Sequence, residues 1–374
     1  MRTGMLIGSE ERGWRFDGEP VEAPQLVLWF SAYGRAESPT IYDSLRARFP
    51  GALIAGCTTN GEIFRGDVSE GGAVAAALRF DSSSVEGAMI TVEHQDDPQT
   101  AGRELAKRLK REGLRGVIVF ADAFGIAGSE LIRGVGEALE PGIPVSGGMA
   151  GDDGRLGACT KVGLNCPLTA KSAVAVGFYG EAIRIEHGLG EGWRPLGPLR
   201  RITRAEGPLV VELDGEPALD VYERLVGNAD STARLRHPIR VSAEGADGDA
   251  VIWEVIGADL ERRALRFIDA VPPGGWAQIL RGDDAELVAG AADAVEAALG
   301  ATSDFNGLAL VISCIGRKWV MGQRVGDETE AVQTRAATPT IGFYAYGELA
   351  PRAGRGGALL HHASITVTLL DEVA

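Results

Sequence analysis

Two glycine-rich segments of the chain repeat the pattern Gly-x-x-x-x-Gly-Glu-aliphatic, at positions 56–63 and 342–349, and a third glycine turn at 147–154 contains two aspartates. Glycine lets main-chain amides approach a bound molecule closely, because it has no side chain. Glu62 and Glu348 can receive an ammonium group, and the guanidinium of Arg317 can bind a carboxylate through two hydrogen bonds. With the neighbouring hydroxyl and amide groups, this inventory fits a small zwitterion. The candidate ligand-binding residues are Gly56, Cys57, Thr58, Thr59, Asn60, Gly61, Glu62, Gly147, Gly148, Gly151, Asp152, Asp153, Cys314, Arg317, Tyr344, Tyr346, Gly347 and Glu348.

The glycine segments belong to a β-α-β-β unit that the sequence repeats three times. Short β-branched runs, a helix-compatible segment and further apolar runs recur over positions 25–80, 114–180 and 306–370. The first two strands of each unit are predicted to be parallel, because a helix connects them. The helices of the units are predicted at 39–48, 129–139 and 321–334, and further helices at 99–110 and 284–299. The predicted fold is therefore α/β, with repeated β-α-β-β units that form mixed sheets.

The repeated units predict where the glycine segments lie relative to one another. Ligands of open α/β sheets bind beyond the carboxyl ends of the parallel strands, and each glycine segment follows such a strand. The three bends are therefore expected to share one rim, with Asn60, Asp152 and Tyr346 close together.

The composition of the chain excludes several classes of partner. Its 374 residues include 37 basic and 52 acidic side chains, a net charge of −15, and a polyanion such as nucleic acid is repelled by this charge. No apolar run approaches the roughly eighteen residues that cross a bilayer, and positions 1–20 do not resemble a signal peptide. We expect a cytoplasmic protein with no membrane partner.

The cysteines and aspartates of the chain do not form a recognisable metal site. The four cysteines, at 57, 159, 166 and 314, lack C-x-x-C spacing, so we expect free thiols in a reducing compartment and no structural zinc. Asp152 and Asp153 can offer oxygen ligands to Mg²⁺, but an Asp-Asp-Gly turn is common without metal. The glycines of 147–151 lack the G-x-G-x-x-G spacing of a dinucleotide site. We therefore expect no metal.

At these same segments the chain resembles the FIST sensory proteins, which pair an N-terminal and a C-terminal FIST domain. The resemblance covers about 25–370, with the N-type domain expected at 25–220 and the C-type domain at 221–370. It implies an intracellular sensor of small ligands, for which amino acids have been suggested. The matching segments, in family order, are 56–63, 147–153, 187–197, 211–219, 314–317 and 342–348.

The resemblance also implies a signalling partner. FIST proteins are often fused to kinase, cyclase or chemoreceptor modules, and no residues of this chain remain for such a module. We therefore expect a free-standing sensor that passes its signal to a separate protein, such as a kinase or cyclase, and that has no catalytic residues of its own.

A haem-binding nitric oxide sensor is the main alternative, and it too comes from the resemblance. Some FIST relatives bind haem and report nitric oxide to a partner histidine kinase. Haem needs an axial histidine in the wall of an apolar pocket, and His187 or His361 can supply one. Any haem is expected to be non-covalent, because the chain has no C-x-x-C-H segment.

A cysteine-dependent enzyme is a second alternative. Cys57 and Cys314 are predicted at equivalent strand ends, where a loop near a helix N-terminus lowers the pKa of a thiol. No histidine and no Asn or Asp stand at a spacing typical of a cysteine nucleophile. The sequence therefore favours thiols that are packed or that line a ligand site.

Overall fold

The first third of the chain carries the first repeated unit together with an N-terminal hairpin. The structure is a computed structural model that describes residues 1–374 except 10, 12, 94–96, 158, 228–229, 244–249, 269–270, 272–273, 301–304, 352–356 and 374. Its first elements are β1 (Arg2–Ser9), β2 (Gly13–Asp17), β3 (Leu26–Ala32), α1 (Tyr33–Ala36), α2 (Pro39–Arg48), β4 (Leu53–Thr59), β5 (Glu62–Phe64), β6 (Asp67–Ser69), β7 (Ala73–Arg79), β8 (Ser84–Thr91) and α3 (Pro98–Lys107).

The second unit is followed by a long β-rich segment. The second unit and the strand after it comprise β9 (Leu114–Ala121), α4 (Gly128–Ala138), β10 (Val145–Met149), β11 (Val162–Leu164), β12 (Ser172–Tyr179) and β13 (Ile183–Gly190). The β-rich segment comprises β14 (Arg194–Pro195), β15 (Arg200–Glu206), β16 (Leu209–Leu213), β17 (Glu216–Pro217), α5 (Ala218–Val226), α6 (Ser231–Arg236), β18 (Ile239–Ser242), β19 (Ala250–Trp253), β20 (Gly257–Asp259), β21 (Ala264–Arg266) and β22 (Trp276–Arg281).

The last part of the chain is the third unit, preceded by a long helix. Its elements are α7 (Asp284–Leu299), β23 (Leu308–Cys314), α8 (Ile315–Met321), α9 (Val325–Ala336), β24 (Thr340–Ala345), β25 (Gly347–Pro351), β26 (Ala358–His361) and β27 (Ile365–Glu372). The predicted helix at 321–334 is instead α8, a 3₁₀ turn and α9. Gly322 separates them, because its φ of +53° is left-handed and ends α8.

The three predicted units are confirmed, and each has the same strand order. In each unit the first two strands are parallel, and the returning strand pairs antiparallel with the first. The orders are β4-β3-β7, β10-β9-β12 and β24-β23-β27. The predicted α/β class with mixed sheets is therefore correct.

The three units exchange strands in a cycle. The hairpin β5-β6 of the first unit joins β24 of the third, the hairpin β25-β26 of the third joins β10 of the second, and β11 of the second joins β4 of the first. The resulting six-stranded sheets are β11-β4-β3-β7-β1-β2, β26-β25-β10-β9-β12-β8 and β13-β27-β23-β24-β5-β6. Each of the three glycine segments, at 56–63, 147–154 and 342–349, therefore forms a bend, called here a glycine bend. Each glycine bend connects a strand of one sheet to a strand of another.

The three sheets pack around one apolar core. Phe30, Phe120 and Phe343 come from three different units, and their ring centroids lie 5.5, 4.8 and 6.0 Å apart. All three side chains are fully buried. Because each unit supplies one ring, this contact helps to hold the three units together.

A fourth sheet, which contains the β-rich segment, packs its own core beside the repeated units. Its order is β19-β18-β22-β15-β16-β21-β20, with β14 on β22 and β17 on β16. Tyr222 of α5 and Phe267 are buried in its core. Strands β19 to β22 of this sheet follow one another between Ala250 and Arg281.

Candidate functional site

The three glycine bends meet, as the repeated units predict. The side-chain oxygen of Asn60 accepts hydrogen bonds from the backbone N–H groups of Asp152 and Gly154, both at 2.9 Å. The hydroxyl of Tyr346 donates to the Asp152 carboxylate. One residue from each unit therefore takes part in a single hydrogen-bonded junction, called here the motif junction.

Main-chain hydrogen bonds close the motif junction further. The N–H of Asn60 donates to the carbonyl of Tyr344, that of Gly151 to Thr58, and that of Tyr346 to Met149. The Asp152 carboxylate is fully buried and also accepts from the N–H groups of Arg155 and Gly157. The bends therefore bind chiefly one another, and the centre of the junction is filled with protein.

An open cleft of about 620 Å³ lies beside the motif junction. The first and second glycine bends form one wall, and α8 with the start of α9 forms the other. The described residues that line the cleft are Asn60, Gly61, Glu70, Gly71, Asp153, Gly154, Ile315, Lys318, Trp319, Gly322 and Val325. A volume of this size suits a small metabolite.

Lys318 holds the two walls of the cleft together. Its ammonium donates to the carbonyl oxygen of Asn60 at 2.6 Å and lies 2.8 Å from the Glu70 carboxylate. The hydrogen bond from Lys318 lowers the pKa of Glu70. Gly61 makes room for the ammonium: its φ is +133°, and a Cβ there lies 2.9 Å from Nζ. The cleft thus contains one ammonium group opposite a glycine bend.

Asp153 presents a further polar group to the cleft, and Asn60 has a buried amide group next to it. One carboxylate oxygen of Asp153 accepts from the N–H of Tyr33 at 3.1 Å, and the other lies 3.6 Å from the Arg155 guanidinium. The Asn60 side-chain amide nitrogen is buried and has no acceptor among the described residues. A buried donor without an acceptor costs free energy, which an oxygen of a ligand or of water can recover.

Three of the predicted site residues line the cleft: Asn60, Gly61 and Asp153. A second group lies in or next to the motif junction: Thr58, Thr59, Glu62, Gly151, Asp152 and Tyr346. The remaining predicted residues are packed inside the sheets or behind α8: Gly56, Cys57, Gly147, Gly148, Cys314, Arg317, Tyr344, Gly347 and Glu348.

Arg317 does not face the cleft, contrary to its expected role as a ligand-binding guanidinium. Its side chain is fully buried and forms an ion pair with Glu328 of α9 at 2.8 Å. Further donors of the guanidinium bind the carbonyls of Glu191 and Leu287. The strand ends at Cys314, as predicted, and the next residues form α8, where successive side chains point about 100° apart, so Lys318 and Trp319 line the cleft instead.

Glu62 binds a neighbouring loop. Its carboxylate accepts hydrogen bonds from Thr59 at 2.5 Å and from the N–H of Gly72 at 2.9 Å. Desolvation raises the pKa of Glu62. The carboxylate thus holds the turn between β6 and β7 against the first glycine bend. This turn contains Gly71, which lines the cleft.

Cys57 and Cys314 lack the properties of a thiol nucleophile. Both side chains are buried, and desolvation raises the pKa of each thiol well above its ordinary value. Nucleophilic thiols need the opposite shift, because the thiolate is the reactive form. Cys57 packs in the apolar core, and Cys314 donates to a carboxylate oxygen of Glu254 at 3.3 Å.

Glu254 and Glu348 place two desolvated carboxyls behind α8, the first on a half-buried residue and the second on a fully buried one. The Glu254 carboxylate packs so closely on Gly316 that a Cβ there lies 1.4 Å from its oxygen. Glu348 is fully buried and accepts from the hydroxyl of Ser364 at 2.8 Å. Desolvation raises the pKa of Glu254 to about 7, and desolvation together with the charge of Glu254 raises that of Glu348 well above its ordinary value.

We expect the buried carboxyl of Glu254 to make stability depend on pH. The folded protein retains a proton that the unfolded chain releases above pH 4.5, so stability falls as the pH rises through about 7. Glu254→Gln removes this loss. The difference in unfolding free energy between the variant and the parent protein should therefore shift by about 2 kcal/mol in favour of the variant when the pH is raised from 5 to 8, as measured by urea unfolding. Glu296→Gln, on the exposed face of α7, is the control. Parallel pH curves for the parent and Glu254→Gln contradict the prediction.

The two histidines considered for haem do not line the cleft. His187 lies on β13, where its Nδ1 is 3.2 Å from the Thr368 hydroxyl, and desolvation lowers its pKa to about 4. His361 is buried at the end of β26. The described residues that line the cleft include neither side chain. The geometry gives the haem alternative no specific support.

Family models identify the chain. A model of the FIST N domain matches residues 25–216, and a model of the FIST C domain matches residues 218–351. The chain belongs to the FIST family. FIST domains are sensory domains of signal transduction.

Three uncharacterised proteins are similar over much of the chain. An uncharacterised protein of Mycobacterium bovis is 27% identical over 239 residues, which cover 61% of this chain and 61% of that protein. One of Methanocaldococcus jannaschii is 26% identical over 237 residues, 59% of this chain and 43% of that protein. One of Mycobacterium tuberculosis is 25% identical over 263 residues, 67% of each. The matched region thus spans about six tenths of the first of these relatives.

Two further observations concern membranes and metals. Of the helices that the structure describes, none is both long enough and apolar enough to cross a bilayer. In the described part of the chain, His, Cys, Asp and Glu side chains do not cluster in groups of three that can hold a metal ion.

Proposed function

We propose that this FIST protein is a cytoplasmic sensor that binds a small zwitterionic metabolite, such as an amino acid, in the cleft beside the motif junction. It passes the signal to a separate partner protein such as a kinase or cyclase. The cleft carries the proposal, because it places an ammonium, two carboxylates and a glycine bend around one small space. Lys318 complements the carboxylate of a zwitterion, and Asp153 with Glu70 complements its ammonium.

The contacts of α8 provide a route from the ligand to the rest of the molecule. On one side, Lys318 of α8 binds the first glycine bend. On the other side, Glu254 packs on Gly316, and Arg236 donates to the carbonyl of Val320, so α8 also contacts the segment that builds the fourth sheet. A ligand carboxylate that adds to the contacts of Lys318 shifts α8, and a shift of α8 changes the fourth sheet.

Isothermal calorimetry with a panel of amino acids tests the proposal directly. At least one member of the panel should bind the folded protein, and Lys318→Met should weaken that binding about 10- to 100-fold, because it removes a charge-assisted hydrogen bond. Lys107→Met is the matched control, since that ammonium pairs with Glu104 on the exposed face of α3. Flat traces for every amino acid, on protein whose fold is verified by circular dichroism, count against the proposal.

A further inference from the structure

The two sides of the cleft differ in chemistry. Asn60, Gly61, Glu70 and Asp153 make one side polar and charged, and the ammonium of Lys318 reaches this side from α8. The other side is apolar and comes from α8 and the start of α9, through Ile315, Trp319 and Val325. A ligand that satisfies only the charged side leaves the apolar side in contact with water.

Trp319 is the most exposed part of the apolar side. Its side chain is 40% exposed, whereas Ile315 and Val320, which lie near it on α8, are buried. Gly154 lies beside the indole: a Cβ at that position would be in ordinary contact with both side chains, 3.4 Å from Ile315 and 3.6 Å from Trp319. The absence of a side chain at Gly154 leaves the indole edge open to the cleft. An exposed indole next to charged groups is a typical contact surface for a flat apolar group.

Lys318 keeps a free donor for a ligand carboxylate. An ammonium has three N–H donors, and two of them serve the Asn60 carbonyl and the Glu70 carboxylate. The third can bind a ligand oxygen without loss of either contact. Trp319 follows Lys318 directly on α8, so the charged and apolar parts of a ligand are held by adjacent residues.

We infer that the cleft selects a zwitterion with a large apolar side chain, preferably an aromatic one, whose ring packs on Trp319 while its carboxylate binds Lys318 and its ammonium faces Asp153. This inference rests on the proposed function and narrows its ligand class. Aromatic pairs in offset or edge-to-face contact are favourable beyond the apolar area that they bury. The ammonium and carboxylate of the ligand then provide the affinity that all amino acids share, and the contact with Trp319 determines which amino acid binds most tightly.

Calorimetry on the full chain with L-phenylalanine, L-leucine and glycine tests this inference. L-phenylalanine should bind at least about 10-fold more tightly than glycine, with L-leucine between them. Phenethylamine and 3-phenylpropionate, which each lack one charge of L-phenylalanine, should bind at least about 10-fold more weakly than the amino acid.

Variants of the apolar side separate this inference from the proposed function. Trp319→Ala should weaken L-phenylalanine about 10-fold and leave glycine nearly unchanged, and Trp319→Phe should keep most of the preference. Phe124→Ala is the control, because that exposed ring lies against Tyr346 outside the cleft lining. If glycine binds as tightly as L-phenylalanine, or if Trp319→Ala affects both equally, this inference is wrong while the proposed function stands. If no amino acid binds the folded protein, both are wrong.

Discussion

Replacement of Arg317 by Met is expected to lower the free energy of unfolding by about 3–5 kcal/mol. Arg317 and Glu328 are both fully buried. The Glu328 carboxylate also accepts hydrogen bonds from the hydroxyls of Ser313 and Tyr344, each at 2.9 Å. Without the guanidinium, these two hydroxyls are left with an uncompensated buried charge. Urea unfolding followed by tryptophan fluorescence measures the loss.

Two further variants show whether the loss comes from the buried charge. Arg317→Met combined with Glu328→Gln should recover much of the stability, because no unpaired charge remains in the interior. Arg324→Met removes a half-exposed guanidinium from its pair with Asp327 and should cost less than about 1 kcal/mol. Unchanged stability of Arg317→Met would mean that the guanidinium is not needed for the fold. The prediction that Arg317 binds a ligand would then have to be tested again.

The repeated units could be predicted because their signals are local. Buried β-branched strands such as β9 and β23, the glycine segments after them and the helical spacing of α4 can each be read within a few residues. The parallel pairing of the first two strands then follows from their helical connection. The meeting of Asn60, Asp152 and Tyr346 could be predicted in turn. Each of these residues lies in the bend that follows a parallel strand of its unit, and the three bends were expected to share one rim.

The exchange of strands among the units could not be predicted. Strands β5, β6 and β11 are only three residues long, which is too short for a periodic pattern, and their partners are more than 90 residues away along the chain in the pairs β5-β24 and β11-β4. Long-range packing chooses such partners, and this choice is not encoded in the strand itself. The expected domains at 25–220 and 221–370 stay a prediction, and both ranges contribute strands to the second and third sheets.

The site prediction failed where the chain changes from strand to helix. The predicted strand end at Cys314 is correct, but the guanidinium of Arg317 does not lie in the ligand site as predicted. Because α8 begins at Ile315, the residue that faces the cleft is Lys318, one position later. The available signal is Trp319, a large aromatic residue directly after two basic side chains, since an indole is a common contact group at binding surfaces.

Replacement of Gly151 by Ala is expected to separate the first and second glycine bends. A Cβ at position 151 lies 2.3 Å from the backbone nitrogen of Asn60 and 2.4 Å from the carbonyl carbon of Thr59. These atoms are main chain and are held by the hydrogen bonds of the motif junction, so the contact is not relieved by rotation of a side chain. We expect a loss of about 3 kcal/mol or more, measured by urea unfolding, together with loss of ligand binding.

The control for this glycine lies on α9. Gly326 has no atom within 4 Å of a Cβ at its position, so Gly326→Ala should be neutral or up to about 1 kcal/mol more stable, because alanine favours the helix. The two substitutions add the same methyl group and differ in what that group contacts. Opposite signs for the two changes in stability show that the close approach of the two bends, rather than a general need for glycine, determines the result. Equal and small effects mean that the motif junction can open without cost, and the cleft wall that depends on it then lacks a fixed position.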